Sequence, residues 1–293
     1  MPHEANLLYR MSEQESRCAV ARWARAIGLA TVVLFPSAIA PVGAQTEPAP
    51  TCKPEWETIK GWLPAGARIE LLVAASNTIP ANLWPRYKEY ATSILACAGD
   101  GTVIEVVPIT DSGAGISPLL VATAPTPGPN QLRSRLERDA FVKHGVAAIE
   151  SLYTTSDTFT GFDPLGTLQL AGDSLHHGTW PGKLIVVMIG NGWQQTERIN
   201  LFRWRDNPAN HADDIIRQLK DQGTLPNLAG ADVVITGLTR GDPRMKIGSA
   251  EYTGMRTFWK KVILAGHGKL VWDESYLPGI GSSLPQKSPT PGS

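Results

Sequence analysis

Charge imbalance is the first thing this sequence does without. Its 27 Lys and Arg equal its 27 Asp and Glu, so the 293-residue chain has a formal net charge of zero. A chain with no basic surplus has no long-range pull towards nucleic acid or anionic lipid, and neither is expected as a partner. Histidine motifs are missing as well. His3, His144, His176, His177, His211 and His267 form no H-x-x-x-H or H-E-x-x-H pattern, which removes the zinc-peptidase signature. His176-His177 reads as a helix-end cap, where a hydrogen-bonding side chain suits the orphan carbonyls. No G-x-S-x-G frame surrounds Ser76, so the hydrolase nucleophile elbow is absent. Gly113-Ala114-Gly115 leads into a strand and Gly190-Asn191-Gly192 lacks a third glycine, so neither is a dinucleotide fingerprint; a Walker A loop is also absent. There is no internal repeat.

Cysteine is scarce, with 3 in all. Cys18 lies in a basic amino-terminal region, where Arg10, Arg17, Arg22 and Arg25 precede an uncharged stretch from Ala26 to Ala44. Val42-Gly43-Ala44 fits the small-x-small rule for leader cleavage, which makes 1–44 a signal peptide and the protein exported, periplasmic or secreted. A retained membrane anchor is the alternative, because the stretch is just long enough to span a bilayer. Pro36 and Pro41 interrupt it. Cleavage leaves Cys52 and Cys97, which in an oxidising compartment form a disulfide, or else stay as two buried thiols.

What is present is a rhythm of short apolar runs. The stretch from Arg68 to Pro80 holds an apolar, partly β-branched run, Ile69, Leu71, Leu72 and Val73, that reads as a buried strand emptying into Ala74-Ala75-Ser76-Asn77-Thr78. Strands buried on both faces belong to parallel sheets, and ligands of such sheets sit beyond the carboxyl ends of the strands where the strand order reverses. Leu83 to Ala98 has helical spacing and is stopped by Gly99-Asp100-Gly101. Strands are predicted over Thr102–Ile109, Ile116–Thr123, Lys183–Ile189, Asp232–Leu238 and Lys269–Trp272. Further helices are predicted over Gln131–Leu152, Asp163–Leu175, Ala212–Gln222 and Ser249–Ala265. The second and third strands are close enough in sequence to pair antiparallel. Alternation of this kind predicts an α/β layered domain with a mostly parallel sheet. The proline-rich segment 45–65 reads as a linker, 66–275 as the domain and 276–293 as a disordered tail.

The order of elements resembles the von Willebrand factor type A (vWA) domain. The first motif is Ala74-Ala75-Ser76-Asn77-Thr78, where the family has D-x-S-x-S. The second is Ile189-Gly190-Asn191-Gly192, where it has a T-D-G-like turn. Between them, Thr160-Gly161-Phe162-Asp163 is similar to the family's threonine-bearing loop, with Phe162 where the threonine belongs and Thr160 displaced by two residues. The resemblance implies a Rossmann-like three-layer α/β sandwich with six strands, one of them an antiparallel edge. It also implies a metal-ion-dependent adhesion site, and here the departures matter. Ala74 and Asn191 stand where carboxylates would, and the hydroxyls of Ser76 and Thr78 are poor Mg²⁺ ligands without them. The site is read as degenerate, a cleft built by Ala74, Ser76, Asn77, Thr78, Thr160, Asp163 and Asn191, with no metal and no cofactor.

Trp193, Phe202 and Trp204, interleaved with Arg198 and Arg203, follow the fourth strand. Aromatic and Arg residues on a loop form a binding rim or pack beneath the loop as a satellite core. The sequence reading is an exported, non-enzymatic protein-interaction module in a cell-envelope assembly. The alternatives are metal-dependent adhesion through unusual ligands, and an enzyme or small-ligand binder that uses the switch-point cleft.

Overall fold

β1 (Arg68–Ala74) is hydrogen-bonded on both sides, parallel to β2 (Val103–Ile109) and to β4 (Leu184–Ile189). The computed structural model describes residues 49–76, 79, 81–112, 116–155, 161–177, 179–204, 207–238, 249–274, 276–278 and 280. Leu72 of β1 lies opposite Val107 on one side and Met188 on the other. A strand so enclosed has little use for polar residues, which is why Ile69, Leu71, Leu72 and Val73 run almost unbroken and are all fully buried. The complete order is β3-β2-β1-β4-β5-β6, with β5 at Ala231–Thr236 and β6 at Lys269–Glu274. Only β3 (Leu120–Thr123) is antiparallel, pairing Val106 with Leu120. Helices flank this sheet, giving the Rossmann-like, vWA-like α/β sandwich that the resemblance implies.

The described residues include six α-helices, α1 (Glu57–Trp62) before the first strand and α2 (Trp84–Cys97), α3 (Gln131–Thr155), α4 (Pro164–His176), α5 (Ala212–Asp221) and α6 (Ser249–Ala265) between strands. α2 buries Tyr87, Tyr90, Ala91, Ile94 and Leu95, the three-and-four spacing that gives a helix one apolar face. α6 does the same with Phe258, Trp259, Val262 and Ile263, each worth about 1.5–3 kcal/mol of transfer free energy. α4 packs on β1 and β2. Among the described residues no helix is long and apolar enough to cross a membrane.

Two boundaries differ from the sequence reading. The expected linker 45–65 contains a turn of 3-10 helix at Pro54–Trp56 followed by α1, and Trp56, Ile59 and Leu63 are core residues. Their spacing of three and four is a helical one, hidden in the sequence by the prolines around it. Cys52 and Cys97 are disulfide-bonded, with their Cα atoms 4.7 Å apart, which ties this segment to the end of α2. At the other end Leu277 and Ile280 are buried and the Ile280 N–H donates to the Leu277 carbonyl, so these two residues pack with the fold. β3 also starts four residues later than predicted. The remainder of the tail, 281–293, and the leader, 1–44, lie outside the described residues.

Candidate functional site

The chain leaves β1 towards β2 and reaches β4, on β1's other side, only after α3 and α4. The carboxyl ends of β1 and β4 therefore mark the switch point, the place where such a sheet opens a crevice. Here a buried aromatic side chain fills part of it. Gly190, just past β4, is so close to its surroundings that a Cβ there would lie 3.1 Å from both the Ala74 Cβ and the Phe162 Cζ. Phe162 is 1 % exposed and is fixed by two backbone hydrogen bonds with Gln195: each N–H donates to the other's carbonyl, at 3.2 and 2.7 Å. The Phe162 ring thus packs against Gly190 at the end of β4.

The neighbouring polar groups are turned to structural work. Asn191 is buried, and its Oδ1 accepts from the Trp193 N–H at 3.1 Å, closing a turn within its own loop. The loop is held from below, because Gly192 takes a φ of 78° and its carbonyl accepts from Trp259 Nε1 at 2.9 Å. Asp163 caps α4: its Oδ1 accepts from the Gly166 N–H at 3.0 Å, while Pro164 takes the first helical position, where its missing N–H costs nothing. Gln194 locks this cap. Its Nε2 donates to Asp163 Oδ1 at 2.7 Å and its Oε1 accepts from the Leu165 N–H at 3.0 Å. Ser76 is fully buried. Asn77, Thr78 and Thr160 lie outside the described residues. Among the described residues no three His, Cys, Asp or Glu side chains converge as a metal site requires.

Beside this crevice lies a groove of about 560 Å³, bounded by the amino end of α4, the loop after β4 and the end of α5. Leu165, Leu170, Ile199 and Leu219 form its apolar floor. Asp111, Asp163, Glu197 and Arg198 bring charge to it, with Asp111, Glu197 and Arg198 exposed. Asp163 thus joins a different cavity from the one expected of it. Asp111 is placed by the close approach of Gly161, where a Cβ would lie 2.8 Å from the Asp111 Cβ. The Asp163 N–H also donates to the Thr110 carbonyl at 2.6 Å, so the end of β2 and the start of α4 are stitched together.

Of the aromatics expected after β4, Trp193 is buried, while Phe202 and Trp204 are half-buried. Trp193 is buried and stacked on Phe202, with ring centroids 4.8 Å apart and planes 19° apart. Trp204 stacks on His211 at 4.4 Å. Trp193 is therefore not presented to solvent: Leu201 and Phe202, in a short 3-10 turn, fold the loop back over it. Arg198 and Arg203 are exposed, so the charged half of the rim stays outside.

At the far end of α4 a second polar cluster escaped the sequence reading. Glu70 and Glu105 are paired across β1 and β2, both beneath α4. Arg68 Nη2 donates to Glu105 Oε1 at 2.7 Å and to Ser174 Oγ at 2.9 Å, and Arg68 Nε lies 3.7 Å from Glu70 Oε1. Burial, and after it the charge of Glu105, raises the Glu70 pKa to about 7, against the opposing pull of Ser174 and Arg68. The alternation E-L-L-V in β1 and E-V-V in β2 was the available signal, since a carboxylate in an otherwise apolar central strand requires a partner.

No family model matches this chain, and no curated protein matches it. Solved structures do. The pilus adhesin SpaC from Lactobacillus rhamnosus GG is similar at a TM-score of 0.43 and 10 % identity, over 72 % of this chain and 28 % of that one. A von Willebrand factor type A protein from Catenulispora acidiphila gives 0.40 and 16 %, over 71 % and 38 %. The human COPII-coat protein Sec24c gives 0.34 and 11 %, over 73 % and 30 %. This chain therefore spans well under half the length of each of these structures.

Proposed function

We propose that the chain is a non-enzymatic protein-interaction module, exported and working in a cell-envelope assembly, that binds through the surface beside α4 and holds no metal at the switch point. The observation that supports this most is the position of Phe162. Its buried ring packs against Gly190 at the end of β4, which supports a site without the oxygen ligand that the resembling motif would place there. Asp163, the nearest carboxylate to the resembling motif, is committed to Gly166 and Gln194. Export is supported by the Cys52–Cys97 bond, which belongs in an oxidising compartment.

The groove itself favours a second reading, a small-ligand binder, because about 560 Å³ is of ligand-pocket size. Its lining carries carboxylates and hydroxyls and, among the described residues, no histidine, cysteine or lysine. Thermal unfolding of the full chain in EDTA, then in excess Mg²⁺, Ca²⁺ or Mn²⁺, tests the metal-free reading, since an ion bound only by the folded state raises the midpoint. The expected result is an unchanged midpoint. A rise that disappears in Ser76→Ala with Thr78→Ala would overturn it in favour of metal-dependent adhesion.

A further inference from the structure

We infer that the groove beside α4 is a docking site for a cationic side chain, Lys or Arg, carried by a segment of a partner protein. This rests on the interaction-module reading and adds the chemistry of recognition. The chain as a whole is neutral, whereas among the described residues three carboxylates, Asp111, Asp163 and Glu197, and one guanidinium, Arg198, line this groove. The positive end of α4 opens on the same space, but Asp163 already answers it as the cap. Asp111 and Glu197 remain as exposed carboxylates on the rim.

The floor suits the rest of such a side chain. Lys and Arg carry an apolar stem below the charge and bury it along apolar surface while the head stays near polar groups. Leu165, Leu170, Ile199 and Leu219 offer that surface, with the rim carboxylates above it. An acidic side chain would meet two exposed carboxylates at the mouth, and a purely apolar one would strip water from them without replacement. The Gln194 clamp on Asp163 and Leu165 holds the amino end of α4 in place before any partner arrives, which lowers the ordering cost of binding.

The test is amide NMR titration of the full chain with four probes: the Nα-acetyl N-methylamides of lysine, arginine, norleucine and glutamate. The lysine and arginine probes are expected to shift the Leu165 and Gly166 amides, while the other two at the same concentration leave them in place. Asp111→Asn combined with Glu197→Gln, both at exposed positions, is expected to weaken the lysine probe about fivefold, and Arg198→Glu to strengthen it by about as much. A norleucine probe that binds as well as lysine would overturn the inference. A glutamate probe that binds better would also overturn it, while leaving the groove as the contact surface and the interaction reading intact. No shift with any probe would remove the groove altogether. A divalent ion that raised the unfolding midpoint, with the rise lost in Ser76→Ala with Thr78→Ala, would overturn the metal-free reading separately from the outcome at the groove.

Discussion

Single residues decide what this sheet end can do. Phe162 is buried at the end of β4, and Gly190 leaves room for its ring, which a Cβ there would meet at 3.1 Å. The misfit at Phe162 was legible in the sequence as a departure from the threonine loop; its burial at the end of β4 was not, because nothing local says which way a loop side chain turns. Glu70 is the residue with the clearest solution signature. Its folded pKa of about 7 lies above the ordinary carboxyl value of 4.5. The folded state therefore holds this proton more tightly than the unfolded chain does. Glu70's contribution is fully present below about pH 4.5 and is lost as pH rises through about 7, a total of roughly 3 kcal/mol. Thermal unfolding between pH 5 and pH 8 should show the wild type losing stability relative to Glu70→Gln, whose neutral amide removes that slope. Equal slopes in the two proteins would mean that Arg68 compensates the charge in full.

At the scale of elements, α4 joins both polar clusters. Its first turn is capped by Asp163 and clamped by Gln194, and its last turn carries Ser174 over the Arg68–Glu105 pair. Asp163→Ala removes the cap, worth about 1 kcal/mol, and strips the buried Gln194 amide of an acceptor, worth about 1–3 kcal/mol more. The midpoint of thermal unfolding should fall by roughly 4–12 °C, and Asp163→Asn should recover part of the loss because it keeps an acceptor. A double-mutant cycle with Gln194→Ala should return a coupling of about 1 kcal/mol; additivity would show that the two side chains act independently. β4 and α6 could be located from sequence because a continuous apolar run and a 3.6-residue stripe are each strong local signals. α1 could not, being six residues long among prolines. The groove could not either: Asp111, Asp163, Glu197 and Gln222 reach it from four separate connections, and only the folded sheet brings them together.

At the scale of the whole molecule, the disulfide does more than add stability. Cys52 and Cys97 are 45 residues apart, so the bond restricts the unfolded chain by about 3–4 kcal/mol in the loop-entropy account. Cys52→Ala with Cys97→Ala should lose that much in urea unfolding at 25 °C, and a loss below about 1 kcal/mol would show that α1 docks as well without the bond. The closed loop also contains α1, β1 and nearly all of α2. A molecule of this kind, held by its amino-terminal side and pulled by a bound partner, would carry tension through the sulfur–sulfur link and past the central strand. β1 would sit outside the line of force, and a pulled molecule would extend by roughly 150 Å less when oxidised than when reduced. The strand around which the whole sheet is ordered would then be the last part of it to feel a mechanical load.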